Sequence, residues 1–187
     1  MFNVIYAIKI PAFVYWTIFV IILITAAIFV LALTSKHVAE KRKKDCFTLL
    51  QKVCESKNLE SYKLEYSTHP AYDYHIENEE YRYLIKLIVN PNCQEICVNN
   101  AIKWQLRNGL HDKDIRFVEG VELLMRMDIK NDGKKVRKLF VIYPNSRALL
   151  KVINECEMIF VNPKTDIYGA NIITFKQLED DFDLIEL

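Results

Sequence analysis

The pattern of apolar positions divides the chain into one long uncharged stretch and a remainder in which apolar and polar residues alternate. Residues 12–33 are 22 consecutive residues without a charged side chain, rich in Ile, Val, Phe, Leu and Ala. At about 1.5 Å of rise per residue, a helix of this length covers roughly 33 Å, enough to cross a hydrocarbon core of about 30 Å. The pattern predicts one transmembrane helix over residues 12–34, with Tyr15 and Trp16 at the first membrane interface.

Two other interpretations of the apolar stretch have weaker support. A cleavable signal peptide has an apolar region of about 7–15 residues before a small-x-small cleavage site. This stretch is longer, and it ends in the sequence ALTS at residues 32–35, a poor cleavage site. A buried core helix would be shorter or would carry a polar stripe, whereas Thr17 and Thr25 are nearly the only polar residues here. An uncleaved membrane anchor is therefore our expectation.

The cations that flank the anchor predict its orientation. Lys9 precedes it, and five cations follow it: Lys36, Lys41, Arg42, Lys43 and Lys44. Because the more basic flank stays inside, we expect a single-pass protein of the cell membrane with its C-terminal domain in the cytoplasm. The expected organisation is a short extracytoplasmic tail at residues 1–11, the anchor at 12–34, a basic juxtamembrane segment and amphipathic helix at 35–60, and a cytoplasmic α/β domain at 61–187.

Membrane lipid is thus the expected partner of the anchor. The basic run at residues 41–44 also has two interpretations. It is a topology signal on a solvated helix face, or it contacts anionic lipid at about 1 kcal/mol per cation near the surface.

Composition argues against several kinds of functional site in this chain. The five cysteines are odd in number and include no Cys-x-x-Cys pair, so the sequence indicates neither a disulfide framework nor a zinc site. Four glycines in the whole chain leave no Gly-rich loop for phosphate. A net charge of +1 gives no bulk electrostatic case for nucleic acid. We expect free thiols in a reducing compartment.

The first half of the soluble part shows a helical period and then strand periods. Apolar residues recur at helical spacing over residues 37–56, which predicts an amphipathic helix. Alternation over residues 62–66 and 72–77 predicts two half-buried strands. The more continuously apolar run at residues 81–89 predicts the third, central strand of the same meander.

Beyond Pro91 the pattern is less regular. We expect one strand or a bent pair at residues 95–98 and 101–106, a helix at 114–127 and a strand at 139–143. A second helix, capped by Asn145 or Ser146, would carry four apolar residues: Ala148, Leu149, Val152 and Ile153. Two more strands are expected at residues 158–161 and 172–175. The order predicts a mixed α/β domain with a short central sheet flanked by helices. Ile85 and Leu87 would lie in its central strand, packed by helices whose apolar faces include Leu50, Val53, Val118 and Leu149.

This order, over about residues 41–161, resembles the restriction-endonuclease-like, or PD-(D/E)XK, nuclease superfamily. In active members, an Asp on the second strand and an Asp or Glu two residues before a Lys on the third hold a divalent metal and orient the attacking water. Here Pro70 and Asp73 stand at the first position, and Lys86 stands at the end of the second. The resemblance implies a restriction-endonuclease-like fold and catalytic positions at Asp73 and Lys86.

The sequence departs from the family pattern at Leu84, where the pattern has a carboxylate. Magnesium prefers hard oxygen ligands, and a leucine supplies none. An acid recruited from elsewhere would restore the ligand set, and the sequence offers four substitutes without singling one out: Glu77, Glu95, Glu119 and Glu122.

Two further segments have the composition of a recognition surface. Lys103, Trp104 and Arg107 lie among amides, a mixture typical of a nucleic-acid or peptide contact, although alternation would bury Trp104 in the core. A basic loop near residues 130–138 includes three cations that would suit phosphate or simply be solvated: Lys134, Lys135 and Arg137.

Two functional hypotheses follow. The first is a membrane-anchored cytoplasmic nuclease-like domain without catalytic activity or cofactor, which binds or scaffolds a protein or nucleic-acid partner. The second is a membrane-tethered, metal-dependent nuclease in which a displaced acid helps Asp73 to bind Mg²⁺. They differ in whether a second carboxylate lies within reach of Asp73 and Lys86.

Overall fold

The protein is mixed α/β, with one long apolar helix near the N-terminus and two mixed sheets. A computed structural model describes residues 11–56, 62–77, 79–108, 116–129 and 133–185. The chain divides into two compact units, Met1–Lys41 and Arg42–Leu187.

The elements follow in a simple order along the chain. They are α1 (Ala12–Ser56), β1 (Lys63–Tyr66), β2 (Tyr74–Glu77), β3 (Tyr81–Asn90), β4 (Glu95–Val98), β5 (Trp104–Arg107), β6 (Arg116–Phe117), α2 (Val121–Met125), β7 (Lys135–Pro144), β8 (Leu149–Asn154), β9 (Glu157–Phe160), β10 (Ala170–Thr174), α3 (Leu178–Asp181) and a 3-10 helix at Phe182–Ile185.

The part of α1 in the first unit has the length and composition of a membrane span. Its most apolar window has a mean hydropathy of 2.8, and none of that window is buried inside the protein. The hydroxyls of Thr17 and Thr25 donate to the carbonyls of Phe13 and Ile21 one helical turn earlier. Polar groups satisfied within the helix, beside exposed apolar side chains, are compatible with a hydrocarbon environment. The helix is therefore a candidate membrane anchor, and its orientation remains a prediction.

The last turns of α1 belong to the second unit and form one side of its core. Cys46, Leu50 and Val53 follow one another at helical spacing, and all three are fully buried. They pack with Ile85 and Leu87 of β3 in one hydrophobic cluster. The expectation that Leu50 and Val53 pack against this strand is confirmed.

The first sheet has the strand order β1-β2-β3-β7-β10. Strands β1, β2 and β3 form an antiparallel meander, whereas β3 pairs in parallel with β7, and β7 in parallel with β10. The predicted meander is thus confirmed, and β3 lies at the centre of the sheet. Because β3 and β7 are parallel, the chain between them must cross over, and α2 and the strands β4, β5 and β6 lie in that crossover.

The second sheet covers the other face of the first. Its order is β6-β5-β4-β8-β9, with β4 and β8 parallel and the other pairs antiparallel. Leu84 and Ile88 of β3 share a buried cluster with Trp104 of this sheet. The central sheet is therefore flanked by α1 on one face and by a second sheet on the other, and the expectation of flanking helices alone was wrong.

The predicted helix that carries Ala148, Leu149, Val152 and Ile153 is wrong. The structure has strand β8 there, in parallel pairing with β4 and antiparallel pairing with β9. Short apolar runs fit helix and strand periods alike, and distant pairing decides between them. Leu149 packs with the second cluster, on the face of β3 opposite Ile85.

The predicted helix at residues 114–127 is also mostly wrong. Arg116 and Phe117 form strand β6, and the helix is confined to Val121–Met125; residues 114 and 115 lie outside the described part. Gly120, with φ of 81°, precedes the helix in the left-handed conformation that glycine adopts without strain. Val118 consequently lies before α2 and packs in the second cluster, not against Ile85.

Candidate functional site

Asp73 and Lys86, the two candidate residues from the sequence, lie side by side. Tyr74 of β2 pairs with Ile85 of β3, so Asp73 and Lys86 extend the same antiparallel register by one residue. The backbone N–H of Asp73 donates to the carbonyl of Ile85 at 2.8 Å, which continues the ladder to Asp73. The register therefore brings the Asp73 carboxylate beside Lys86.

The Asp73 carboxylate has two cationic partners. Its Oδ2 lies 3.2 Å from Nζ of Lys86, and its Oδ1 lies 2.7 Å from Nζ of Lys43, near the end of α1. The backbone N–H of Leu87 also donates to Oδ2, at 3.0 Å. Asp73 is only 8% exposed, so these bonds satisfy a carboxylate that has lost most of its water.

Burial and charge act on the pKa of Asp73 in opposite directions. Burial alone raises the pKa of this carboxyl, but the Lys43 hydrogen bond, the Leu87 N–H and the charge of Lys86 lower it below its ordinary value of 3.8. Asp73 is therefore an ionised group with two neighbouring ammonium groups.

Further contacts fix both lysines. The Tyr74 hydroxyl donates to the carbonyl of Lys43 at 2.7 Å, which holds this turn of α1 against β2. The Nζ of Lys86 lies 3.5 Å from the carbonyl of Pro70. A Cβ atom added at Gly120 would lie 2.8 Å from Cε of Lys86, so the lysine stem passes directly over this glycine.

Leu84 occupies the position at which the family pattern has its second acid, and its side chain is buried in the second cluster. Three of the four possible substitutes are engaged in ion pairs. Glu77 pairs with Arg82 and Lys134, Glu95 with Arg147, and Glu122 with Arg126.

The fourth acid, Glu119, lines the same cleft as Asp73 and Lys86. This cleft has a volume of about 810 Å³, and Lys43 and Arg116 are among its other lining residues. It contains more cations than acids, which gives it a positive lining. Glu119 is thus the one of the four substitutes that shares a cleft with both Asp73 and Lys86.

A divalent metal fits this set of donors poorly. Leu84 offers no oxygen, and Asp73 already accepts from two ammonium groups and one amide. Among the described residues, no group of three or more His, Cys, Asp or Glu side chains is arranged to hold a metal ion. Magnesium takes near-octahedral oxygen coordination. The ammonium groups of Lys43 and Lys86 balance the charge of the Asp73 carboxylate.

The predicted recognition residues Lys103, Trp104 and Arg107 do not form one surface. Trp104 is fully buried, with its ring 4.5 Å from that of Phe140 in an edge-on contact. Arg107 donates to the side-chain oxygen of Gln105, and Lys103 is exposed. The indole is a core group and has no face open to a base or peptide.

The basic residues at the start of β7 are engaged with acidic and aromatic neighbours. Lys134 pairs with Glu77 at 2.5 Å, and Lys135 pairs with Glu80 at 2.7 Å. The guanidinium of Arg137 lies 5.6 Å from the ring centre of Tyr81. Hydrogen bonds from Arg82 and then from Lys134 lower the pKa of the Glu77 carboxyl to about 2.

A separate cavity of about 970 Å³ lies on the side of β2 that faces away from α1. His69 stacks on Tyr72 with ring centres 5.3 Å apart, and Nε2 of His75 lies 3.2 Å from Glu65. Glu122 lines this cavity, not the cleft of Asp73.

No known protein family, curated protein or solved structure matches this chain. The properties of the site therefore follow from its own geometry.

Sequence reasoning missed Lys43 as a site residue, although the sequence contains a signal for it. Lys43 lies three residues before Cys46 and seven before Leu50, so it continues the buried stripe of the helix.

Proposed function

We propose that this chain is a membrane-anchored protein whose cytoplasmic domain is a degenerate restriction-endonuclease-like domain that binds a partner and does not cleave nucleic acid. The order α1, β1, β2, β3 and then β7 supports this, because it gives a helix, an antiparallel meander and a parallel strand. The crossover between β3 and β7 holds β4, β5, β6 and the short helix α2. The juxtaposition of Pro70, Asp73 and Lys86 supports it further.

The single observation that carries the proposal is the salt bridge between Lys43 and Asp73. Metal-assisted hydrolysis needs carboxylate oxygens free to bind a cation and to orient water. Here one oxygen of Asp73 is 2.7 Å from an ammonium group, and the second acid is replaced by Leu84. At such a site the ammonium groups of Lys43 and Lys86, and not a metal ion, balance the charge of the Asp73 carboxylate.

The lining of the cleft that contains Asp73 supports a role in binding a partner. The cleft beside Asp73 has Lys43, Lys86 and Arg116 among its lining residues, together with apolar groups from β3. Cationic side chains beside apolar groups can contact acidic groups of a protein or the phosphates of a nucleic acid. A protein or nucleic-acid partner is the proposed occupant, and the candidate anchor would hold it at the membrane.

The test is a cleavage assay on the full chain purified in detergent. We expect no cleavage of single- or double-stranded DNA or RNA with Mg²⁺ or Mn²⁺ above the level of the Asp73→Ala and Lys86→Ala variants. Metal-dependent cleavage that both variants abolish would overturn the proposal.

In that event the second candidate, a metal-dependent nuclease with a displaced acid, takes its place. The observation that favours it is the position of Glu119 in the same cleft as Asp73 and Lys86. Glu119→Ala would then abolish cleavage, whereas Glu122→Ala, three residues away and lining the other cavity, would leave it intact.

A further inference from the structure

A small cavity of about 380 Å³ lies where two loops leave the first sheet and enter the second. Strands β3 and β7 are parallel and end in register, with Asn90 opposite Pro144. The loop after β3 leads to β4, and the loop after β7 leads to β8, which is again a parallel pair. In open α/β sheets, ligands bind outside the carboxyl ends of parallel strands. The cavity lies at that position in this fold.

Buried hydrogen bonds fix the two loops that form the cavity. Asn90 is fully buried, and its side-chain amide donates to the carbonyl of Gln94 at 2.8 Å and to that of Asn145 at 3.1 Å. The backbone N–H of Arg147 donates to the carbonyl of Cys93 at 3.0 Å. Cys93 has φ of 48°, a conformation that residues other than glycine keep only where their surroundings fix it. The loops are therefore preorganised for a ligand.

The lining of this cavity is polar and positive. Arg107 of β5 and Arg147 line it, together with amide side chains and the hydroxyl of Ser146. None of the described residues in the lining is acidic. Glu95 lies outside the lining but pairs with Arg147 at 2.7 Å, so it offsets part of the charge of one arginine. The charge of Arg107 has no such carboxylate partner in the described part of the chain.

Both arginines keep donors for a ligand. Arg107 donates through Nε and Nη2 to the side-chain oxygen of Gln105. Arg147 donates through Nε and Nη2 to Glu95, and its Nη2 also donates to a neighbouring carbonyl. Within the described ranges, the Nη1 group of each arginine and the side-chain amide of Asn145 have no hydrogen-bond partner. These groups are donors, so the complementary ligand group is an acceptor with negative charge.

A phosphate group fits this lining better than a carboxylate. A phosphate monoester carries a charge of about −1.5 to −2 near pH 7, which balances two guanidinium groups, whereas a carboxylate carries a single negative charge. Small-molecule sites span roughly 300 to 1,000 Å³, and this cavity lies at the lower end of that range. We propose that the cavity binds the phosphate monoester group of a small molecule or of a lipid headgroup through Arg107 and Arg147.

This site is separate from the cleft beside Asp73, because the described residues that line the two share no member. Isothermal titration calorimetry on the full chain in detergent tests it, with glycerol phosphate and sodium acetate as probes at matched ionic strength. We expect saturable binding of glycerol phosphate and no saturable binding of acetate. A lack of glycerol phosphate binding, or equal binding of the two probes, would overturn the proposal.

Matched variants locate the binding. Asn145→Asp adds a carboxylate to the lining without a change of size and should weaken binding about tenfold or more, as should Arg107→Ala. Asn100→Asp makes the same charge change on the turn before β5, where the side-chain oxygen still accepts from the N–H groups of Ile102 and Lys103. It should leave binding unchanged. Unchanged circular dichroism checks that the variants fold. Equal losses in the two Asp variants, or no loss in Asn145→Asp, would contradict the proposed site.

Two further measurements separate the possible origins of the signal. Arg116→Ala removes a cation that lines the cleft of Asp73 and not this cavity, so it should leave binding intact. Loss of binding in Arg116→Ala would locate the anion in the other cleft and overturn the proposal. The second measurement repeats the glycerol phosphate titration in nanodiscs of phosphatidylcholine with and without phosphatidic acid. Competition by phosphatidic acid that Asn145→Asp removes would identify a lipid headgroup as the ligand, and an unchanged titration would identify a soluble one.

Discussion

The Nζ atom of Lys43 lies 2.7 Å from Oδ1 of Asp73 and joins the last part of α1 to the start of β2. Asp73 is buried, whereas half of the Lys43 side chain is exposed. The ammonium group of a lysine at the protein surface therefore pairs with a carboxylate in the interior. This arrangement makes the ionisation of Asp73 depend on Lys43.

Lys43→Ala should lower the free energy of unfolding near neutral pH by about 1 kcal/mol, because the lysine is partly screened by solvent. The folded-state pKa of Asp73 lies below 3.8, so its contribution to stability is present above that value and is lost as the pH falls through the folded pKa. The difference between wild type and variant should therefore vanish in acid. Urea titrations at several pH values measure it.

The matched control is Lys44→Ala, which removes an exposed cation from the next position of the same helix. It should leave the pH dependence of stability unchanged. Equal effects of the two substitutions would mean that general charge, and not the contact with Asp73, causes the change.

The core of β3 gives a second prediction. Ile85 is fully buried between α1 and the central sheet, and Ile85→Ala should lower the free energy of unfolding by roughly 2–5 kcal/mol. Val89 on the same strand is 38% exposed, so Val89→Ala should cost much less. Chemical denaturation of the full chain measures both. A loss under about 0.5 kcal/mol for Ile85→Ala would contradict the central position of the strand.

The predicted orientation of the membrane anchor gives a third prediction. The excess of cations after the apolar stretch predicts that a reporter fused after Leu187 is active in the cytoplasm. Protease added to intact cells should leave the domain uncut. Cleavage from outside, or secretion of a shortened product, would contradict both the anchor and its orientation.

The parts of the fold that sequence patterns predicted are those set by local periodicity. The run at residues 81–89 became β3, Tyr81–Asn90, and the alternation before it became β1 and β2. Strand β8 was missed because the spacing of Leu149, Val152 and Ile153 also fits a helix. Its pairing with β4, about fifty residues earlier, decides the matter, and no local pattern carries that information.

The candidate site likewise contains contacts that the sequence predicted and contacts that it did not. The resemblance to the nuclease pattern placed Asp73 and Lys86 at one site, and their spacing suited a hairpin; in the structure the register of β2 and β3 brings them together. Lys43 joins them through a contact with Asp73, which lies 30 residues later in the chain, and the sequence indicated only that Lys43 is one cation of a topology signal. Glu119 reaches the cleft only because the crossover after β3 folds back over Lys86 at Gly120.

The central claim is that Lys43 and Leu84 leave Asp73 without a metal site, and calorimetric titration of Mn²⁺ into the full chain tests it most directly. We predict no specific binding at micromolar Mn²⁺, for the wild type and for Asp73→Asn alike. A stoichiometric binding event in the wild type that Asp73→Asn removes would contradict the claim.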